Sequence, residues 1–190
     1  MNTTDLLAGS REAFVAVIRS ISSEQMDAPT PCSEWDVRAL MQHTVGTVVY
    51  LTDLAAGEMS GPPTPSTATD RDELVDQLAE AAERAVQRFR DGGLLENESS
   101  LFAGMTGDVI AGIIAGEFLV HGWDLARATG QTIPVAVDVA DAYLQRIAST
   151  DAPRPEWAYG PEVEAPSDAS VIDRIAALLG RPIPTDSRTS

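Results

Sequence analysis

The chain has 190 residues, of which 44% are apolar, enough for one domain with a hydrophobic core. Its 29 acidic and 13 basic side chains give a net charge of -16, which argues against nucleic acid or anionic membranes as partners. A single cysteine, Cys32, excludes an internal disulfide framework. The first residues lack the basic and apolar regions of a signal peptide, so we expect a cytoplasmic protein.

Apolar residues at helical spacing predict four long helices. The four segments are residues 5–21, 37–56, 70–90 and 108–128. Asp36 is the expected N-cap of the second helix and Gly57 its C-terminal stop, while Asp70 and Glu73 form a capping-box pattern at the third. The second helix is apolar nearly all round, which predicts a central position in the fold.

Glycines and prolines mark features of the second half of the chain. Gly112 and Gly116 lie inside the fourth helix, where each costs about 1 kcal/mol relative to alanine. Close approach of a neighbouring helix would explain that cost. Pro134 is expected to open a fifth helix that ends near residue 148. Four prolines in residues 151–169 predict an extended strap before a short helix at 171–179.

These elements predict an all-α protein. The expected architecture is an antiparallel four-helix bundle with additional short C-terminal helices. Residues 1–182 are expected to form a single domain, and residues 183–190 a disordered tail.

Glu117 and His121 form a candidate metal-binding pair on the fourth helix. They are four residues apart, so their side chains share one face of the helix, one turn apart. On or beside this face lie isoleucines at 110, 113 and 114. A carboxylate and an imidazole on an apolar face are costly unless they are paired or bound to a metal. His43, the only other histidine, lies on the second helix and can supply a third ligand.

Two histidines and one glutamate would leave a coordination position open, as in catalytic zinc sites. Nickel, iron and cobalt also accept mixed nitrogen and oxygen ligands. Asp124, one turn beyond His121, is expected to accept a hydrogen bond from an imidazole N–H. The alternative is a hydrogen-bonded Glu–His pair in a helical core that binds no metal.

Several other side chains have two interpretations. Cys32 precedes a helix, where a thiolate is favoured, but it has no adjacent histidine, so a side chain packed in a turn is the preferred interpretation. Arg38 and Arg127 either bind a carboxylate substrate or lie along the helix surface. Trp35 either packs at a helix end or forms the wall of a ligand cleft.

Two stretches of the sequence resemble the signatures of the DinB-like superfamily. The first signature is similar to residues 30–43, TPCSEWDVRALMQH, and the second to residues 117–127, EFLVHGWDLAR. The similarity is greater to the branch related to the N-terminal domain of mycothiol-dependent maleylpyruvate isomerase. Residues 173–182, DRIAALLGRP, also resemble the end of short actinobacterial members. The resemblance therefore extends from the first helix to about Pro182.

The resemblance implies that His43, Glu117 and His121 bind one divalent metal ion, most readily zinc. It also implies a metal-dependent transferase or isomerase that uses mycothiol, or a similar thiol, on a small electrophilic molecule. The isomerase has a further C-terminal domain with a catalytic arginine, and the residues after the fourth helix are too few for it. The alternative is therefore a non-catalytic metal- or small-ligand-binding protein. Dimers occur in the superfamily, so a homodimer is one expected assembly.

Overall fold

The computed structural model describes residues 1–33, 35–59, 61–99, 105–149 and 160–183. The α-helices in these residues are α1 Thr3–Arg19, α2 Val37–Ala56, α3 Arg71–Asp91, α4 Gly107–Ala128, α5 Val137–Ala148 and α6 Val171–Leu178. Short 3-10 turns follow α1 at Ser23–Gln25 and α3 at Leu94–Glu96. The β-structure found in these ranges consists of isolated bridges between single residues. The predicted all-α fold class is confirmed.

The four long helices form a bundle. Both α1 and α2 pack against α3 and α4, and α5 and α6 add a layer on α4. Helix α4, rather than α2, is therefore the most enclosed helix, because α5 and α6 cover its outer side while one side of α2 remains half-buried. By length and composition α4 is apolar enough to cross a membrane, but 83% of its most apolar window is buried, as in the core helix of a soluble protein.

Side-chain caps mark where α2, α3 and α4 begin. The carboxylate of Asp36 accepts a hydrogen bond from a backbone N–H in the first turn of α2, and Gly57, with φ of 71°, ends that helix. Asp70 caps α3 in the same way, and the hydroxyl of Thr106 caps α4. The bounds predicted for α2 are confirmed, because short polar side chains at these positions satisfy N–H groups that have no partner within the helix.

Three predicted boundaries are wrong by two or more residues. Helix α1 runs from Thr3 to Arg19 rather than over residues 5–21, and α5 begins at Val137 rather than at Pro134. The segment before α5 stays non-helical while Ile133 is buried against α4, where a Cβ on Gly122 would lie 2.8 Å from the Ile133 side chain. This tertiary contact outweighs the preference of proline for the first turn of a helix.

The glycines inside α4 allow α5 to approach closely. A Cβ at position 116 would overlap the Tyr143 hydroxyl, and a Cβ at position 112 would overlap the guanidinium of Arg146. Both partners belong to α5. The predicted close approach of a neighbouring helix is confirmed, and it offsets the cost of about 1 kcal/mol that each glycine imposes on α4.

The segment before α6 lies against the end of that helix. Residues 160–169 form neither helix nor strand, as predicted for the strap, and the Val163 N–H donates to the Ala177 carbonyl at 3.0 Å. Residues 151–159 of the predicted strap, Glu34 of the first signature and residues 184–190 of the predicted tail lie outside the described residues.

Candidate metal centre

Helices α2 and α4 bring His43, Glu117 and His121 together. Glu117 Oε2 lies 3.3 Å from His121 Nε2 and 3.8 Å from His43 Nε2. One ligand atom from each residue lies within 4.8 Å of the others. The two imidazole centroids are 5.4 Å apart, with perpendicular rings, which suits two ligands on one ion because each would lie about 2 Å from it.

Glu117 Oε2 is the atom that points to a cation. It is buried and has no hydrogen-bond partner among the described residues, although two imidazole nitrogens face it. In the metal-free protein the charge of this oxygen is balanced by the facing His121 Nε2 at 3.3 Å, without the geometry of a hydrogen bond, and a divalent ion between the three side chains would bind it directly. Two imidazole nitrogens and one carboxylate oxygen are ligands that zinc accepts. The residues therefore fit a divalent metal ion.

Asp124 orients the His121 ring. Its Oδ2 lies 3.2 Å from His121 Nδ1, and its side chain is fully buried. An ionised Asp124 accepts the Nδ1–H, which leaves Nε2 as the nitrogen that faces Glu117. The contact predicted between this carboxylate and an imidazole is confirmed.

A second group of possible ligands is formed by Cys32, His121 and Asp124, whose ligand atoms also lie within 4.8 Å of one another. Arg181 occupies this position. Its Nη2 lies 3.2 Å from Cys32 Sγ and 3.0 Å from Asp124 Oδ2. The guanidinium is always charged and would repel a cation there, so His43, Glu117 and His121 are the candidate ligands.

Arg181 is the site residue that sequence reasoning missed. It follows α6 and is 9% exposed, and its Nε lies 3.3 Å from the second oxygen of Asp124. The only local signal is its position between Gly180 and Pro182, which indicates a helix end but no partner. A buried arginine needs a paired charge, and only the fold shows that Asp124 provides it.

The two arginines proposed as carboxylate binders lie elsewhere. Arg38 pairs with Asp27 at 3.1 Å, and the Arg127 guanidinium lies 5.5 Å from the ring centroid of Trp123. Neither is brought to the histidines. Their interpretation as helix-surface arginines is the one that these contacts support.

Trp35 borders the cluster on the α2 side. Its ring centroid lies 4.3 Å from that of His43 and 6.4 Å from that of His121. The His43 side chain is 31% exposed, whereas that of His121 is 8% exposed. Thr47 Oγ1 lies 3.3 Å from His43 Nε2. The cluster is therefore open to solvent beside His43, between an indole ring and a hydroxyl group.

Neighbouring charges shift the pKa values of the cluster. Burial opposes the charged form of His121, but the carboxylates of Glu117 and Asp124 raise its pKa well above the ordinary 6.5. Burial and the nearby His121 lower the pKa of His43 below 6.5. Burial opposes ionisation of both carboxyls, yet the cationic neighbours, His121 above all, leave their pKa values below the ordinary range. Near pH 7 the metal-free cluster therefore contains an imidazolium between two carboxylates, beside a neutral His43.

Comparison with known proteins identifies the family of the chain. The family described as mycothiol maleylpyruvate isomerase N-terminal domain matches residues 7–126, which include His43, Glu117 and His121. Two uncharacterized proteins of Mycobacterium tuberculosis, from strains CDC 1551 / Oshkosh and ATCC 25618 / H37Rv, are each 30% identical over 178 residues, 92% of this chain and 94% of theirs. No solved structure matches the chain. The chain belongs to the family of the mycothiol maleylpyruvate isomerase N-terminal domain.

Proposed function

We propose that the chain binds one divalent metal ion through His43, Glu117 and His121. The observation that carries this proposal is the buried Oε2 of Glu117, which faces two imidazole nitrogens and accepts no hydrogen bond from the described residues. Zinc suits this donor set best, and nickel, iron or cobalt are the alternatives.

The proposed activity is that of a metal-dependent transferase or isomerase, located in the cytoplasm, that uses a low-molecular-weight thiol such as mycothiol. Its second substrate would be a small electrophilic molecule. Family membership supports the thiol, and three protein ligands leave a coordination position open for it. When bound, a divalent ion supplies Lewis acidity that lowers the pKa of a coordinated thiol.

The protein side chains would prepare the site for that chemistry. Glu117 contributes one negative charge against the two positive charges of the ion. Asp124 holds the proton on His121 Nδ1, so that Nε2 faces the ion with its lone pair. Trp35 forms an apolar wall on the side where His43 is exposed, and we expect the thiol and the electrophile to enter there.

The second candidate function is non-catalytic binding of a metal or small ligand. One contact pattern favours it. Cys32 and Arg181 both hydrogen-bond to Asp124 and also to each other, so these polar groups hold one another in place rather than remain available for proton transfer.

Thiol-transfer assays distinguish the two functions. Zinc-loaded protein is incubated with mycothiol, or with glutathione for comparison, and with an unsaturated cis-diacid, an epoxide or an aryl halide. An enzyme is expected to accelerate loss of the electrophile beyond free zinc, with Glu117→Gln slower and Cys32→Ser as active as wild type. Full zinc content without turnover would favour the binding protein. Failure to bind zinc, nickel, iron or cobalt in a stoichiometric amount would contradict both the metal-dependent enzyme and the metal-binding protein, and would leave only the binding of a small ligand.

A further inference from the structure

We propose that Arg181 is a positioning residue of the metal centre and acts on His121 through Asp124. The inference rests on the metal binding proposed above. The guanidinium contacts both oxygens of the carboxylate, with Nε 3.3 Å from Oδ1 and Nη2 3.0 Å from Oδ2. Oδ2 is also the atom that lies 3.2 Å from His121 Nδ1. One continuous chain of contacts therefore links Arg181 to the imidazole that faces Glu117.

The end of α6 directs Arg181 into the bundle. Gly180 has a φ of 85°, a left-handed conformation that reverses the chain after a helix. The Arg181 N–H then donates to the Ala176 carbonyl at 2.9 Å, which fixes its backbone on the last turn. Its side chain points back towards α4, although Asp124 lies 57 positions earlier in the sequence.

The contacts of the guanidinium exclude a direct role in substrate binding. Nη1 donates to the Leu179 carbonyl at 2.9 Å, and Nη2 reaches Cys32 Sγ at 3.2 Å in addition to Asp124. Arg181 is only 9% exposed. All three guanidinium nitrogens therefore have protein partners in a buried position, so the residue holds a neighbour rather than a ligand.

The fork shape of arginine is what the Asp124 carboxylate requires. Two guanidinium nitrogens contact two carboxylate oxygens, which fixes the plane of the carboxylate. The direction in which Oδ2 points towards His121 is therefore fixed as well. A lysine ammonium is a single point charge and would keep the charge without fixing that plane. Arg181→Lys thus separates orientation from charge.

Metal affinity in a double-mutant cycle tests the proposal. Zinc affinity is measured by competition with a chelator for the wild type, Arg181→Lys, Asp124→Asn and the variant with both changes. Loss of the residue that accepts a hydrogen bond from a metal-ligating histidine weakens metal binding by about 10–100-fold. We expect each single change to weaken zinc binding within that range, and the double variant to be no weaker than Asp124→Asn alone. Arg174→Lys, an exposed control on α6, should bind zinc as the wild type does.

The visible spectrum of bound cobalt adds a readout that a merely structural role would not change. At saturating cobalt, Arg181→Lys should alter the absorption bands, because the orientation of the His121 ligand changes. Unchanged affinity and spectrum would overturn the proposal, as would additive losses in the double variant. If Arg181→Lys does not fold, Arg181→Gln takes its place in the cycle, and the double variant then combines Arg181→Gln with Asp124→Asn, which leaves no unpaired charge of this pair buried. Wild type that binds no metal would overturn the proposed function as well, whereas normal binding by Arg181→Lys overturns this inference alone.

Discussion

His121 lies between two carboxylates, and this position would determine how the proposed site binds a metal. Its raised pKa means that the metal-free protein carries a proton on each ring nitrogen at neutral pH, whereas the lowered pKa of His43 leaves that ring neutral. A metal ion must displace the proton on His121 Nε2. We predict that zinc binding at pH 7 releases about one proton. Calorimetric titrations in two buffers of different ionisation enthalpy measure the number of protons released. If zinc binding released no proton, the charged state assigned to His121 would be contradicted.

The same pKa shift predicts how the stability of the metal-free protein depends on pH. A pKa raised above the ordinary 6.5 adds stability that is fully present below pH 6.5 and is lost as the pH rises through the raised value. The melting temperature of chelated protein should therefore fall as the pH rises above 6.5, as measured by differential scanning fluorimetry. His121→Gln should make the profile flatter in this range. Glu117 and Asp124 titrate at lower pH and do not contribute to this change.

Single substitutions should show which side chains bind zinc and which only lie beside the site. We predict that His121→Ala abolishes stoichiometric zinc binding and that Glu117→Gln weakens it, because the amide keeps the shape but loses the charge. Cys32→Ser should leave the zinc content unchanged, since the Arg181 guanidinium occupies the space beside Cys32. Elemental analysis after dialysis measures all three. Equal zinc content in His121→Ala and wild type would rule out the proposed ligand set.

Residue spacing shows why the clustering of His43, Glu117 and His121 was predictable and the contact of Arg181 was not. Glu117 and His121 are one helical turn apart, so the sequence alone indicates a shared face. His43 could be added because the chain has only two histidines and because its surroundings resemble a known signature. Arg181 meets Asp124 across 57 positions, through a turn at Gly180 and the docking of α6, and no periodicity encodes that contact.

At the scale of elements, helix α4 carries two of the proposed ligands and also packs closely against α5. Gly116 allows this close packing, because a side chain at position 116 would overlap the Tyr143 hydroxyl. Gly116→Ala gains about 1 kcal/mol of helix propensity but introduces an overlap that costs about 1–3 kcal/mol. We predict a net loss in the free energy of unfolding, measured by urea denaturation. Tyr143→Phe should recover part of the loss in a double variant, and equal losses in both backgrounds would contradict this explanation.

Helix boundaries show the same division between local and tertiary causes. The start and end of α2 were predictable because Asp36 and Gly57 act on their own helix. The start of α5 was not, because the burial of Ile133 against α4 keeps the preceding segment non-helical. The greater burial of α4 likewise depends on its contacts with α5 and α6, and the sequence of α4 alone does not predict these contacts.

For the whole molecule, a metal bridge between α2 and α4 would join two sides of the bundle. An ion that binds only the folded protein stabilises it by about 2.7 kcal/mol at a free concentration 100 times its dissociation constant. For a chain of this size we predict that complete removal of the metal lowers the melting temperature by about 5–10 °C. His121→Ala, which should not bind the ion, is the control and should show no response to the chelator. An unchanged melting temperature of wild type would indicate a polar core cluster without metal.

The contact between Arg181 and Asp124 has a consequence for how the protein matures in the cell. The two residues are 57 positions apart. At about 5–20 residues per second, a ribosome needs roughly 3–11 s to synthesise that interval. During this time His121 and Asp124 are present in the nascent chain without the support that Arg181 gives to the Asp124 carboxylate. If Arg181 positions His121 as proposed, tight metal binding would therefore follow synthesis of α6.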